Sequence, residues 1–265
     1  MHEGRGNVSE NSAPAAEADW LGLNGARVLI AGAGGLGGAC ARAFARVNAS
    51  VAIADNDAEH LAKIVGDLGQ DCVSITADLS DPDDAGAAVS QAAAVMGGID
   101  ALVHAVGINI RKPVLEFEPE EWHRIQKVNL DSAFWLAQAA GRIMVNQNRG
   151  RIVIISSVSG LLAHENHAPY AASKGAINQM MRVMAREWAP YGVTVNAVAP
   201  GYVETELTQA YLSQDGHRQA LSEMVPAGRL GTPDELTGPI LFLASSHASF
   251  VTGHVLYVDG GRTLV

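Results

Sequence analysis

The chain has 265 residues, 48% of them hydrophobic, and a formal charge of -10. That apolar content fills one core without calling for a second, so residues 21–265 are expected to form a single domain. The acidic balance argues against a nucleic-acid partner, which needs clustered Lys and Arg, and no run approaches the roughly 18 unbroken apolar residues of a membrane span.

Residues 1–20, rich in Ala, Glu, Ser and Asn and lacking an apolar centre, read as a flexible extension and not as a signal peptide, so a cytoplasmic protein is expected. Cys40 lies in an alanine-rich helical stretch and Cys72 beside a strand; both read as buried free thiols, with no disulfide framework and no metal site. From Arg27 onward short apolar runs alternate with longer helix-like stretches: Val28 to Ala31, Val51 to Ala54, Val73 to Thr76, Ala101 to Val106, Ile152 to Ile155, Val193 to Val198 and Val255 to Val258. Strands that are apolar without alternation belong to a sheet covered on both faces. The expected fold is therefore α/β, a doubly wound, mostly parallel seven-stranded sheet of the Rossmann type.

The first run leads into Ala31-Gly32-Ala33-Gly34-Gly35-Leu36-Gly37-Gly38 and then a helix expected from Ala39 to Val47. Gly32, Gly34 and Gly37 fit the G-x-G-x-x-G spacing, in which glycines permit a tight turn and let a pyrophosphate approach the backbone at a helix amino terminus; Gly35 and Leu36 belong to the same turn. Asp55 ends the second strand, 23 residues beyond Gly32, where a carboxylate can accept both ribose hydroxyls of an adenosine and repel a 2′-phosphate. NAD is thus expected over NADP. Asp78 closes the third strand, followed by Leu79, and either reaches an adenine amino group or serves the turn that runs to Asp84.

Between Ser157 and Lys174 lies the densest chemistry. An apolar strand delivers Ser157 at its carboxyl end, and a helix starting near Pro169 puts Tyr170 and Lys174 at i and i+4 on one face. Moving a hydride to or from an alcohol carbon requires a proton to move at the oxygen; a phenol with a pKa near ~10 needs help to act as a base, and an adjacent ammonium is expected to give it. Strand alternation sends Ser156 and Ser157 to opposite sides. Further on, Ile177, Met180, Met181, Met184 and Trp188 recur at helical spacing and read as core or subunit-contact surface.

From Leu21 to the carboxyl end the chain resembles the short-chain dehydrogenase/reductase family. Asn129 in Val-Asn-Leu, Ser157 in Ile-Ser-Ser-Val, and Tyr170 and Lys174 in Tyr-Ala-Ala-Ser-Lys match its catalytic set, with 28 residues from Asn129 to Ser157 and 13 from Ser157 to Tyr170. Pro200-Gly201 with Val203, Glu204 and Thr205, and the closing Val258-Asp259-Gly260-Gly261, match as well. The resemblance implies Tyr170 as general base in oxidation and acid in reduction, Ser157 holding the substrate oxygen, Lys174 bonding the nicotinamide ribose, and Asn129 supporting a water-linked proton path. It also implies cofactor contacts from Ala105, Gly107, Pro200, Gly201, Val203 and Thr205, and a homo-oligomer, a tetramer or a dimer. Two positions depart from the family. Ala31 replaces the loop's threonine in a loop one residue shorter, and His104-Ala105 replaces two asparagines expected to steady the central sheet and the adenosine side.

Substrate choice is expected to lie in Gly107 to Pro113, in His164 to His167, and in a helical lid over residues 207–225. The segment around Arg111-Lys112-Pro113 looks like that of gluconate 5-dehydrogenases and 2-deoxygluconate-type dehydrogenases, where Arg111 could pair with a sugar carboxylate. His164 and His167 are expected to bind substrate hydroxyls or to lie on the surface, and His60, His123 and His247 read as surface residues. The competing expectations are a 3-oxoacyl-[acyl-carrier-protein] reductase and, from another class, a nucleotide-sensing or scaffold protein without turnover.

Overall fold

The computed structural model describes residues 19–69 and 72–265; most of the expected extension over residues 1–20 therefore lies outside the described residues. The strands β1 (Arg27–Ala31), β2 (Ser50–Asp55), β3 (Val73–Thr76), β4 (Ala101–His104), β5 (Gly150–Ile155), β6 (Val193–Pro200) and β7 (Val255–Val258) form one sheet in the order β3-β2-β1-β4-β5-β6-β7. Every neighbouring pair is parallel. Chain direction across the sheet reverses between β1 and β4, the switch point where a doubly wound sheet opens a crevice at its strands' carboxyl ends.

The helices are α1 (Gly35–Arg46), α2 (Ala58–Leu68), α3 (Pro82–Met96), α4 (Pro119–Gln126), α5 (Ser132–Gln147), α6 (Ala168–Trp188), α7 (Glu206–Leu212), α8 (His217–Glu223) and α9 (Pro233–Ala244). Leu29 and Ala31 of β1 face a core built with α3, α5 and α6, while Val28 and Ile30 face a second core with α1, α2 and α9. Alternate residues of one strand are buried on opposite sides, so apolar residues are needed at each position and the run is unbroken. The stripe on α6 is core: Ile177, Met181 and Met184 are buried, and Met180 and Trp188 pack against them. Gly141 of α5 lets the Trp188 ring close in, since a Cβ there would stand 2.8 Å from it.

Among the boundaries that differ from expectation, three bear on the site. Helix α1 begins at Gly35, four residues before Ala39, because packing on the sheet overrides the poor helix propensity of its glycines. Strand β6 extends to Pro200, which pairs with Val258 of β7. β4 ends at His104, beyond which the chain leaves the ladder toward the crevice. Helices α4 and α5 are continuous except for a π-turn over Lys127–Asp131, where the Ser132 amide reaches back to the Lys127 carbonyl. Among the described residues no helix is long and apolar enough to cross a membrane.

Candidate active site

A cleft of about 570 Å³ lies at the carboxyl ends of the central strands. Its floor is the turn from β1 into α1. Gly32 takes φ +96°, and a Cβ on Gly37 would stand 1.8 Å from the Gly32 carbonyl oxygen, so α1 can seat on the turn only through a glycine. No side chain caps α1 at Gly34, which leaves its first-turn N–H groups for an anionic ligand. Gly34, Gly35 and Leu36 line the cleft, and Gly37 lies beneath it.

Asp55, Asp78 and Leu79 line one end, and Ala105, Gly107, Pro200, Gly201, Val203 and Thr205 the middle and the opposite wall. The Asp55 carboxylate also organises the turn: Oδ2 accepts from the Ala33 amide at 2.5 Å and Oδ1 from the Asp57 amide at 2.9 Å. The Ser80 hydroxyl and then the Ser80 amide donate to Asp78 Oδ1, at 2.6 and 3.0 Å, and hold that carboxyl below its ordinary range. Asp78 thus serves the turn through Oδ1 while lining the cleft.

Ser157, Tyr170 and Lys174 meet at the other end. The Ser157 hydroxyl oxygen accepts from the Ser159 amide at 3.0 Å, while the Ser156 hydroxyl is donated to Asn178 Oδ1 at 2.6 Å and so belongs to the scaffold. Lys174 Nζ donates to the Ile155 carbonyl at 2.8 Å, and burial pushes its pKa down to about 8. Its Nζ stands 5.6 Å from the Tyr170 ring centroid. The i, i+4 spacing thus brings the ammonium near the phenol ring, as expected. Burial pushes the Tyr170 phenol up, and the groups that favour its anion are Ser157 and Arg111. At neutral pH the phenol thus keeps its proton.

Asn129 does not line the cleft. It sits in the π-turn, its Oδ1 accepting from the Ile108 amide at 2.8 Å and its Nδ2 donating to the Ile108 carbonyl at 3.0 Å and to Ser173 Oγ at 3.1 Å. Ser173 in turn donates to the Tyr170 carbonyl at 2.7 Å. The side chain expected to support a proton path thus ties the segment after β4 to α6, with both of its N–H donors committed. The same π-turn is held from below by His104, fully buried, whose Nε2 lies 2.8 Å from Ser132 Oγ; that hydroxyl is donated to the Val128 carbonyl at 2.5 Å.

Burial, aided by the charge of Lys174, pushes His104 from 6.5 down to about 3. A group with a lowered folded pKa protonates first in the unfolded chain. Its contribution is whole above pH ~6.5 and is lost toward pH ~3 at up to about 1.4 kcal/mol per unit. His167, pushed down to about 4, acts in the same direction. The melting temperature is expected to fall as pH drops from 6.5 to 4, and His104→Gln, which keeps a donor toward Ser132, is expected to flatten that fall. An unchanged slope in thermal melts across this range would refute the assignment.

On the far side of Ser157 and Tyr170 is a second chamber of about 70 Å³, shared with Asn109, Arg111, His167 and Tyr202. Arg111 lies over the Tyr211 ring of α7, 3.8 Å from its centroid. His164 stands just behind, with Nδ1 2.9 Å from Ser159 Oγ and its ring 5.8 Å from that of Tyr202.

Comparison with known proteins settles the family. Residues 30–263 match a family model described as enoyl-(acyl carrier protein) reductase. The chain belongs to the short-chain dehydrogenase/reductase family. It is 37% identical over 250 residues to the gluconate 5-dehydrogenase of Gluconobacter oxydans, covering 93% of this chain and 98% of that one. It is 36% identical to a 3-oxoacyl-[acyl-carrier-protein] reductase of Vibrio cholerae, covering 92% of this chain and all of that one. A gluconate 5-dehydrogenase of Burkholderia cenocepacia, solved with NADP and tartrate, superposes with a TM-score of 0.88 at 40% identity, over 93% of this chain and 98% of that one.

As a short-chain dehydrogenase/reductase the protein is a Rossmann-fold oxidoreductase, and its residues fit the family's nicotinamide cofactor: the glycine turn with its close contact at Gly37 leaves the pyrophosphate's path clear, and the cleft runs from Asp55 to Tyr170. The family asparagines lost at His104-Ala105 leave the sheet intact, since His104 pairs with Ala31 and Ile154 on its two sides. Sequence reasoning missed His60, which is no remote surface residue. It lines the cleft near Asp55 and reaches Glu206 Oε2 at 3.2 Å, with Asp57 on its other nitrogen at 3.4 Å. Its place in the first turn of the helix after β2 was the available signal. His123 bonds the Pro119 carbonyl and His247 stacks with Trp20, both away from the cleft. Asn109 lies within the Gly107 to Pro113 segment expected to face substrate, though it was not singled out, and Tyr202, next to Gly201, was missed.

Proposed function

We propose that the protein interconverts a secondary alcohol and a ketone of a sugar acid or polyol, in the manner of a gluconate 5-dehydrogenase, with NAD(H) preferred. The observation that carries this reading is that Ser157 and Tyr170 form a wall common to the long cleft and to the small chamber holding Arg111. A nicotinamide bound in the long cleft supplies or accepts the hydride. In reduction Tyr170 gives its phenolic proton to the carbonyl oxygen, Ser157 holds that oxygen, and in oxidation the proton returns to Tyr170. Lys174 would hold the cofactor's ribose, and Asn129 fixes the segment after β4 through the Ile108 amide and carbonyl. Arg111, braced on Tyr211, takes the substrate carboxylate, since a guanidinium fork matches it. Helices α7 and α8 form the lid, and faces of α5 and α6 pair between subunits into a homo-oligomer, a tetramer or a dimer.

Cofactor choice rests on Asp55, with Asp57 beside it and His60 engaged by Asp57 and Glu206; this acidic corner disfavours a 2′-phosphate. NADH is expected to bind about tenfold more tightly than NADPH in a fluorescence titration, a difference of ~1.4 kcal/mol. Tighter NADPH would overturn the argument. For the substrate, NADH oxidation would be followed against 5-keto-gluconate, simple ketoses and an acetoacetyl thioester. Turnover of the keto acid is the expected result, and turnover of the thioester alone would establish the 3-oxoacyl reductase instead.

A further inference from the structure

Seven buried side-chain nitrogen or oxygen atoms among the described residues find no hydrogen-bond partner in the protein. Four of them gather on the substrate side: Asn109 Oδ1, His164 Nε2 and both ring nitrogens of His167. Folding normally pairs such atoms, and leaving them unpaired is costly unless a ligand completes them. His167 is 8% exposed and lines the small chamber together with Asn109, Arg111, Ser157 and Tyr170. Its ring centroid is 6.1 Å from that of Tyr170, so a group bonded to it lies within a few atoms of a carbonyl held at the phenol.

The occupant's chemistry follows from what these atoms can do. Burial, with Arg111 nearby, keeps the His167 imidazole neutral, pushed down to about 4, so at neutral pH it offers one N–H donor and one bare acceptor. Asn109 Oδ1 adds an acceptor. A hydroxyl both donates and accepts, and so completes such a set, whereas a methylene chain completes none of it. A metal is a poor match, because His164 and His167 have no third ligand among the described residues.

We infer that His167, with Asn109 beside it, reads a hydroxyl group on the carbon chain next to the reacting carbonyl, so that the enzyme selects polyhydroxylated substrates against deoxygenated ones of the same length. The inference rests on the reading of the protein as an alcohol–ketone oxidoreductase, and extends it from the reacting centre to its neighbouring carbons. A site built to bond a hydroxyl rejects the analogue lacking it far more strongly than an apolar pocket rejects a missing methylene.

The test compares 5-keto-gluconate with 5-oxohexanoate, the same six-carbon keto acid without hydroxyls, in wild type, His167→Leu and His167→Gln. Wild type is expected to favour 5-keto-gluconate in kcat/KM by about 10² or more. His167→Leu should cut that preference at least about tenfold, and His167→Gln, whose amide again offers donor and acceptor, should restore much of it. A preference that survives in His167→Leu overturns the inference. A wild type that reduces neither ketone overturns the functional reading. The His167 assignment is then decided by its ¹⁵N imidazole shifts as gluconate and hexanoate are titrated into the cofactor-loaded protein. Movement with gluconate alone upholds it, and equal response or none refutes it.

Discussion

Tyr170→Phe is expected to lower kcat for ketone reduction by ~10²–10⁴ while leaving cofactor affinity within about twofold. The hydroxyl is the only part removed, and it lies where the cleft and the substrate chamber share a wall. Because burial raises this phenol, the wild-type enzyme holds its proton at neutral pH, the form that reduction uses. Oxidation needs the anion. Its rate is expected to climb with pH through the alkaline range, whereas reduction falls once Lys174, pushed down to about 8, and then Tyr170 lose their protons. Stopped-flow kinetics in both directions, with cofactor titrations of each variant, provide the check. A Tyr170→Phe enzyme with wild-type kcat would remove Tyr170 from the chemistry.

The parts of the fold visible in the sequence are those where one local rule acts alone. β1 and β4 to β6 are buried on both faces, so their apolar runs announce strands without any knowledge of neighbours. Tyr170 and Lys174 share a helix face because the turn containing Pro169 starts α6 where the spacing required. The unseen parts depend on packing between elements. The π-turn around Asn129 changes the hydrogen-bond register, which no 3.6-residue pattern expresses, and it turns that side chain toward Ile108 and Ser173. Likewise the charge state of Tyr170 depends on how much protein surrounds it. Spacing places Lys174 near the ring, but only the assembled site shows that Nζ is bonded to the Ile155 carbonyl and that burial dominates.

Gly37→Ala is expected to be the most damaging single methyl in the cofactor cleft. The added Cβ would stand 1.8 Å from the Gly32 carbonyl oxygen and 2.8 Å from its carbon, and both are backbone atoms that no rotamer change can move aside. Relief requires α1 to lift from β1, which separates its buried Cys40, Ala41 and Phe44 from the core they share with Val28 and Ile30. Overpacking of this kind costs about 3 kcal/mol or more, roughly 6–12 °C in melting temperature for a chain of this size. The same shift moves the first-turn N–H groups away from the pyrophosphate's path, so NADH affinity should fall at least about tenfold in whatever protein folds. Gly86 in α3 and Gly238 in α9 provide the internal control, since nothing lies within 4 Å of a Cβ at either. Alanine there should be neutral or stabilising by about 0.5–1 kcal/mol through helix propensity and a less flexible unfolded chain. Thermal melts of the three variants separate contact from propensity: a Gly37→Ala protein that melts with the other two and binds NADH normally would show that the turn has room the structure denies it.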